Sequence, residues 1–141
     1  MTPALPFYMA AVQIGMAKTT RLIAIVDDDP SVLKALARLV RTRSFSATTY
    51  LSGTQFLDSL AEGLPDCLIL DLQMPEMTGL ELQQNLTRRG IRIPTIIITA
   101  HNEAGMLERC TSAGATAFLS KPVNDTSLFA AIEAAGGGSE K

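Results

Sequence analysis

The sequence has few of the residues on which metal–thiolate, disulfide-rich and nucleic-acid-binding proteins depend. Its 141 residues include two cysteines, one histidine and no tryptophan. Cys67 and Cys110 form no CxxC motif, so we expect buried free thiols in a reducing compartment and no zinc site. Lysine and arginine number 12 against 14 acidic residues, and the net charge of -2 provides no general basic face for nucleic acid.

The chain also lacks an apolar run near the ~20 residues that a membrane span requires. We therefore expect a cytoplasmic protein without a membrane anchor. Residues 1–20 contain a short apolar stretch without a preceding basic residue, which disfavours a secretory signal. We expect these residues to be a disordered extension, or translation to begin at Met16. The glycine-rich residues 136–141 predict a flexible tail, which leaves 21–135 as one domain.

Within that domain, short apolar runs alternate with segments of helical periodicity. The runs at 22–26 and 95–98 are continuously apolar, as in parallel strands that are covered on both faces. This alternation predicts an α/β fold, a doubly wound (βα)5 parallel sheet. The predicted strands are 22–26, 47–50, 67–70, 95–98 and 117–119. The predicted helices are 30–43, 52–60, 78–88, 102–113 and 124–135.

Polar side chains follow four of these strands. Taken singly, each is ordinary, because a loop aspartate usually forms a turn or caps a helix. However, the carboxyl ends of parallel strands meet at one edge of the sheet, where open α/β sheets bind ligands. We therefore expect the side chains to converge, except for Asp29, which should cap the following helix. In chain order, the converging residues are Asp27, Asp28, Asp71, Thr99 and Lys121.

Such a cluster favours a particular chemistry. Carboxylates that converge on one pocket repel one another unless a cation binds between them. Oxygen ligands with open positions favour Mg²⁺, which also accepts phosphoryl oxygens. Lys121 could offset phosphoryl charge, Thr99 could donate a hydrogen bond, and Asp71 could itself accept the phosphoryl group. The sequence thus predicts Mg²⁺-dependent phosphoryl transfer to an aspartate.

Four ordered stretches resemble the receiver domain of two-component response regulators. The resemblance covers roughly residues 21–135 and implies a sheet of strand order 2-1-3-4-5. It also implies that the chain functions in phosphorelay signal transduction. The matching stretches are IVDDDP (25–30), LILDLQMPEMTGLEL (68–82), IIITA (96–100) and FLSKP (118–122).

The resemblance assigns the acceptor and the metal ligands. Asp71 would be the phosphoacceptor. Asp28 and Asp71 would bind Mg²⁺, and Asp27 would bind it directly or through water. Gln73 would contribute its backbone carbonyl.

The resemblance also assigns the residues that respond to phosphorylation. Thr99 and Lys121 would contact the phosphoryl group, and Thr99 and Phe118 would form the switch pair. Gln73 and His101 flank the site where family members tune the lifetime of the phosphoryl group. The peptide bond between Lys121 and the following proline would be cis.

The partners follow from the same resemblance. A sensor histidine kinase or a phosphotransfer protein would supply the phosphoryl group. An output protein would bind the face formed by the fourth helix, fifth strand and fifth helix. We expect a signalling switch with weak self-dephosphorylation rather than an enzyme, and a monomer or a weak phosphorylation-dependent dimer. The few residues after 135 predict no nucleic-acid-binding domain in this chain.

Three alternatives use similar features. A haloacid-dehalogenase-type phosphatase also has a strand-end aspartate nucleophile, but it requires a second aspartate at the position of Gln73. A receiver that acts only as an unphosphorylated binding module would be expected to lack one of the site residues, and all are present. A nucleotide-binding flavodoxin-like protein needs a phosphate loop after the first strand, where this chain has the acidic residues 27–29.

Overall fold

A five-stranded parallel sheet of order β2-β1-β3-β4-β5 forms the centre of the protein, which confirms the predicted fold and strand order. The computed structural model describes residues 20–100 and 105–140. The strands are β1 Leu22–Val26, β2 Ser46–Tyr50, β3 Cys67–Asp71, β4 Thr95–Thr99 and β5 Ala115–Ser120. The helices are α1 Pro30–Arg41, α2 Gly53–Ser59, α3 Gly79–Arg88, α4 Met106–Ser112 and α5 Asp125–Glu140, with a 3-10 turn, Leu60–Glu62, after α2.

Helices cover both faces of the sheet. Leu68 and Leu70 of β3 pack with side chains of α2, α3 and α4. Ile69 of β3 and Ile96 of β4 pack on the other face, against α1 and α5. Because successive strand residues point to opposite faces, a strand covered on both sides needs apolar residues at successive positions. This explains why the buried strands β3 and β4 are apolar except at Asp71, Thr95 and Thr99.

The first helix begins as the sequence predicts. Asp29 Oδ1 accepts a hydrogen bond from the Ser31 N–H at 2.9 Å. Pro30 occupies the first turn of α1, where its missing N–H has no intrahelical partner to lose. The predicted role of Asp29 as the helix cap is therefore confirmed.

Two predicted helix boundaries are wrong for identifiable reasons. Helix α4 begins at Met106 rather than at 102, because Gly105 has a left-handed φ of 84° that interrupts a helix. Helix α5 runs to Glu140 and not to residue 135, so 136–140 belongs to the helix, and the flexibility of the tail stays a prediction. Its glycines lower helix propensity but, unlike proline, keep the backbone N–H. The predicted extension at 1–20 lies, except for Thr20, outside the described residues.

None of the helices in the described ranges is both long enough and apolar enough to cross a bilayer.

A capping box starts helix α3 directly after the loop that follows β3. Thr78 Oγ1 accepts from the Glu81 N–H at 3.1 Å, and Glu81 Oε1 accepts from the Thr78 N–H at 2.9 Å. We expect Thr78→Ala to lower the free energy of unfolding by about 1 kcal/mol, because it removes one of these acceptors. Urea unfolding measures the change. Thr78→Ser, which keeps the hydroxyl, is the control, and equal losses in both variants would contradict the capping role.

Candidate functional site

Three aspartates meet at the carboxyl edge of the sheet. Strands β1 and β3 pair in parallel with Val26 opposite Leu70, so the residues that follow, Asp27 and Asp71, are neighbours. Asp27 and Asp71 are 2% and 5% exposed, whereas Asp28 is exposed. One carboxylate oxygen from each of the three residues lies within 4.8 Å of the others. The three carboxylates therefore lie close together, as predicted.

Lys121 lies between two of the carboxylates. Its Nζ is 3.1 Å from Asp27 Oδ2 and 3.1 Å from Asp71 Oδ1. Its backbone N–H donates to the Thr99 carbonyl at 2.9 Å, and the peptide bond to the following proline is cis, as predicted. The other oxygen of Asp27, Oδ1, accepts from the Asp29 N–H at 2.9 Å. Both carboxylates are thus held in position by hydrogen bonds.

The electrostatics of the site leave negative charge uncompensated. Burial, followed by the charge of Asp27, raises the pKa of Asp71 above its ordinary value, although Lys121 opposes the shift. Burial lowers the pKa of Lys121, but its hydrogen bonds to Asp27 and Asp71 outweigh burial, so the net shift of that pKa is upward. The lysine therefore keeps its charge at neutral pH, and one ammonium faces three carboxylates.

The donor set of this cluster fits a hard divalent cation. Its atoms are all carboxylate oxygens, without sulfur or imidazole nitrogen, which matches the preference of Mg²⁺. Asp27, Asp28 and Asp71 would hold the ion. Gln73, two residues after Asp71, is exposed in the loop that follows β3, and its backbone carbonyl as a ligand stays a prediction.

Thr99 and Phe118 lie on the two strands next to this cluster. Thr99 is the last residue of β4, is 5% exposed, and follows Ile98, which pairs with Asp71. Phe118 lies on β5 opposite Ile97 and is half-buried against the apolar cluster beneath α3 and α4. Their coupling as a switch pair stays a prediction. His101, predicted to flank the site, lies outside the described residues.

Gly79 supports the site, a role that the sequence analysis did not predict. Its N–H donates to the Leu72 carbonyl at 2.8 Å. A Cβ at this position would lie 2.6 Å from the backbone oxygen of Asp71 and 2.9 Å from Leu72 Cα. Glycine is a poor residue for the first turn of a helix, and this was the available signal. Gly79 therefore lets α3 approach the strand end that carries Asp71.

The loop between β3 and α3 also contacts α2. Glu76 has a positive φ of 70°, and the Met77 N–H donates to the Pro75 carbonyl at 2.7 Å across it. Met77 packs over Gly53 so closely that a Cβ there would lie 2.7 Å from its sulfur. No residue pattern predicts this contact, which anchors the loop beside the cluster.

Comparison with known proteins agrees with this geometry. The family model of the response regulator receiver domain matches residues 23–133. The chain therefore belongs to the response regulator receiver domain family, the receivers of two-component systems.

Individual relatives support the assignment. The response regulator protein TodT of Pseudomonas putida is 40% identical over 120 residues, which cover 85% of this chain and 53% of TodT. The transcriptional regulatory protein FixJ of Rhizobium meliloti is 38% identical over 117 residues, which cover 83% of this chain and 57% of FixJ. The chain thus spans about half the length of the curated relatives it matches.

Solved structures give the same result for the fold. The crystal structure of FixJ-N has a TM-score of 0.77 at 37% identity, with 83% of this chain and 94% of that chain covered. A response regulator receiver protein from Burkholderia phymatum has a TM-score of 0.74 at 44% identity, with 83% and 95% covered.

A bound cation should stabilise the folded protein, because its ligands are brought together only by folding. We expect Mg²⁺ at ten times its dissociation constant to raise the free energy of unfolding by about 1.4 kcal/mol relative to EDTA. Asp28→Asn should reduce this gain, whereas Asp58→Asn, an exposed aspartate on α2, should not. Calorimetry with and without Mg²⁺ measures the difference. If Mg²⁺ stabilised the two variants equally, the ion would bind at another site.

Proposed function

We propose that this receiver domain accepts a phosphoryl group on Asp71 and transmits the change to a partner protein. The observation that carries the proposal is the convergence of Asp71 with Asp27, Asp28 and Lys121 at one edge of the sheet. Membership of the receiver family supports it. The phosphoryl donor would be a sensor histidine kinase or a phosphotransfer protein, and the reaction would take place in the cytoplasm.

The chemistry is a displacement at phosphorus. A carboxylate oxygen of Asp71 attacks the phosphorus, the bond to the donor's imidazole nitrogen breaks, and that nitrogen leaves with the electron pair. The carboxylate is buried at the end of β3, which would hold it in place for the attack. Bound Mg²⁺ would supply neutralisation of phosphoryl charge, with Asp27, Asp28 and Asp71 as its ligands.

Lys121 would change partner during the reaction. In the structure its ammonium contacts Asp71 at 3.1 Å. Once Asp71 is phosphorylated, its own oxygens no longer carry a negative charge, and the phosphoryl oxygens carry negative charge instead. The ammonium then turns to the phosphoryl group, and its contact with Asp27 keeps it in the site.

The output would be a shift between two packings of the domain. The Thr99 hydroxyl would donate to a phosphoryl oxygen, and Phe118, which is half-buried, would turn into the space that Thr99 leaves. The surface of α4, β5 and α5 would change as a result and bind the output partner. The domain would act as a monomer or a weak phosphorylation-dependent dimer. It would be a switch with slow self-dephosphorylation rather than an enzyme.

Phosphorylation by a small donor tests this function without knowledge of the kinase. Acetyl phosphate with Mg²⁺ should add the mass of one phosphoryl group to the intact protein, and EDTA should prevent the addition. Beryllofluoride should bind only in the presence of Mg²⁺ and shift the NMR signals of Thr99 and Phe118. If neither an adduct nor a shift is observed under these conditions, the result favours a receiver that binds its partner without phosphorylation.

A further inference from the structure

The methionines of the described residues lie around the loop that follows Asp71. Met74 and Met77 belong to this loop, which connects β3 to α3, and Met106 is the first residue of α4. Met74 and Met106 line the same cavity, which has a volume of about 690 Å³. Met77 and Met106 are half-buried, whereas Met74 is 7% exposed. The receiver chemistry proposed above gives these three sulfur atoms no role.

Met77 attaches the middle of this loop to α2. Its Sδ, Cγ and Cβ lie 2.7, 3.3 and 3.5 Å from the position that a Cβ on Gly53 would occupy, so the side chain covers the glycine along its length. The ends of the loop are held separately, since the Leu72 N–H donates to the Ile98 carbonyl at 3.0 Å and the Gly79 N–H donates to the Leu72 carbonyl at 2.8 Å. Between these ends, the side chain of Met77 packs against the apolar cluster beneath α2 and α3.

The thiols of the domain are less accessible to an oxidant than these thioethers. Cys67 and Cys110 are buried, and burial raises the pKa of both thiols, that of Cys67 to about 11. Peroxides oxidise the thiolate form, so both cysteines are protected at neutral pH. The half-buried sulfur atoms of Met77 and Met106 are therefore the first targets of an oxidant within the described residues.

Oxidation of Met77 is incompatible with its contact to α2. A hydroperoxide transfers one oxygen atom to the thioether: the S–O bond forms, the O–O bond breaks, sulfur loses two electrons, and the peroxide is reduced to water or an alcohol. The sulfoxide is polar, so its burial in an apolar cluster without a hydrogen-bond donor is unfavourable. The close approach of the side chain to Gly53 leaves no room for the added oxygen between them. The oxidised side chain should therefore turn to water and leave α2.

We propose that Met77 is a site of reversible oxidation by hydroperoxides, and that its sulfoxide releases the loop from α2 and slows phosphorylation of Asp71. Release of the loop would displace the residues directly after Asp71, among them Gln73, whose backbone carbonyl is a predicted Mg²⁺ ligand. Two thiols of a reductase would restore the thioether, with a disulfide and water as products. The effect on phosphorylation rests on the function proposed above, whereas release of the loop does not.

Treatment of the full chain with hydrogen peroxide tests the proposal. Peptide mapping should show an added oxygen on Met77 and Met106 before Met74, because Met74 is the least exposed of the three. Hydrogen exchange should become faster at residues 73–78 and at the start of α2 once Met77 is oxidised. Phosphorylation by acetyl phosphate and Mg²⁺ should slow about tenfold, since a misplacement of about 1 Å can slow a positioned reaction ~100-fold. The two methionine sulfoxide reductases with dithiothreitol should reverse both changes.

Three variants identify the sulfur atom responsible. Met77→Leu keeps an apolar side chain without sulfur, so peroxide should no longer slow its phosphorylation. Met106→Leu removes the other half-buried methionine, and peroxide should slow this matched control as much as it slows the wild type. Met77→Gln places a polar side chain of similar length at the contact and should show fast hydrogen exchange of the loop without peroxide.

The proposal is overturned if Met77 stays reduced while Met106 is oxidised, or if oxidation of Met77 changes neither the hydrogen exchange of the loop nor the rate of phosphorylation. It is also overturned if peroxide slows Met77→Leu as much as it slows the wild type. If the untreated protein is not phosphorylated at all, the proposed function fails, and hydrogen exchange alone decides whether oxidation of Met77 releases the loop.

Discussion

Replacement of Asp71 by asparagine is expected to abolish incorporation of a phosphoryl group. The amide that replaces the carboxylate has the same shape but no nucleophilic oxygen of comparable strength. Intact mass after incubation with acetyl phosphate and Mg²⁺ measures incorporation. Asp58→Asn, at an exposed position on α2, is the matched control and should be phosphorylated as the wild type is.

The same variant should not lose stability at neutral pH. The pKa of Asp71 is raised above its ordinary value of 3.8, chiefly by burial and then by Asp27. Between the ordinary and the raised pKa the folded state binds more protons than the unfolded state, so this residue makes the free energy of unfolding fall as pH rises. Asparagine removes that contribution. Urea unfolding should show that the stability of the variant relative to the wild type increases as pH rises through the acid range, and a less stable variant at pH 7 would contradict the assigned environment.

Gly79→Ala is expected to lower the free energy of unfolding by about 1–3 kcal/mol, because the added methyl group overpacks the site. Its Cβ would lie 2.6 Å from the backbone oxygen of Asp71 and 2.9 Å from Leu72 Cα, and neither backbone atom can move freely. Helix propensity alone would predict the opposite change, because it favours alanine over glycine by about 1 kcal/mol. Phosphorylation should also slow, since the strand end that carries Asp71 must shift.

A control substitution on the same helix separates these two effects. Gln84→Ala, at an exposed position of α3, should change the free energy of unfolding by no more than about 0.5 kcal/mol. Urea unfolding and the acetyl phosphate reaction should be followed for both variants. If Gly79→Ala were as stable as the wild type and reacted at the same rate, the close approach of α3 to β3 would not constrain the site.

The sequence predicted the sheet well because its strands are chemically distinctive. The strands β3 and β4 are buried on both faces, so their apolar residues run without interruption and end at Asp71 and Thr99. Helix ends were less predictable. Gly105 delays α4 through its backbone conformation, whereas the glycines after residue 135 do not stop α5. Composition alone does not distinguish a glycine with positive φ from a glycine within a helix.

The grouping of the three aspartates with Lys121 was predictable, but their contacts were not. The carboxyl ends of parallel strands share one edge of the sheet, so the sequence alone was enough to group the residues that follow them. The bridge from Lys121 to both Asp27 and Asp71 depends on how β5 and β1 are placed around β3, and sequence spacing does not fix it. The same is true of the hydrogen bond from Gln83 Nε2 on α3 to Thr95 Oγ1 on β4, which depends on how α3 packs against β4.

Chemical location of the phosphoryl group tests the central claim most directly. Borohydride reduces an aspartyl phosphate to homoserine, so the phosphorylated protein can be reduced, digested and sequenced by mass spectrometry. We predict homoserine at position 71, in protein treated with acetyl phosphate and Mg²⁺ and not in protein treated with EDTA. Homoserine at position 27 or 28, or a phosphoryl group that borohydride does not convert, would contradict Asp71 as the acceptor.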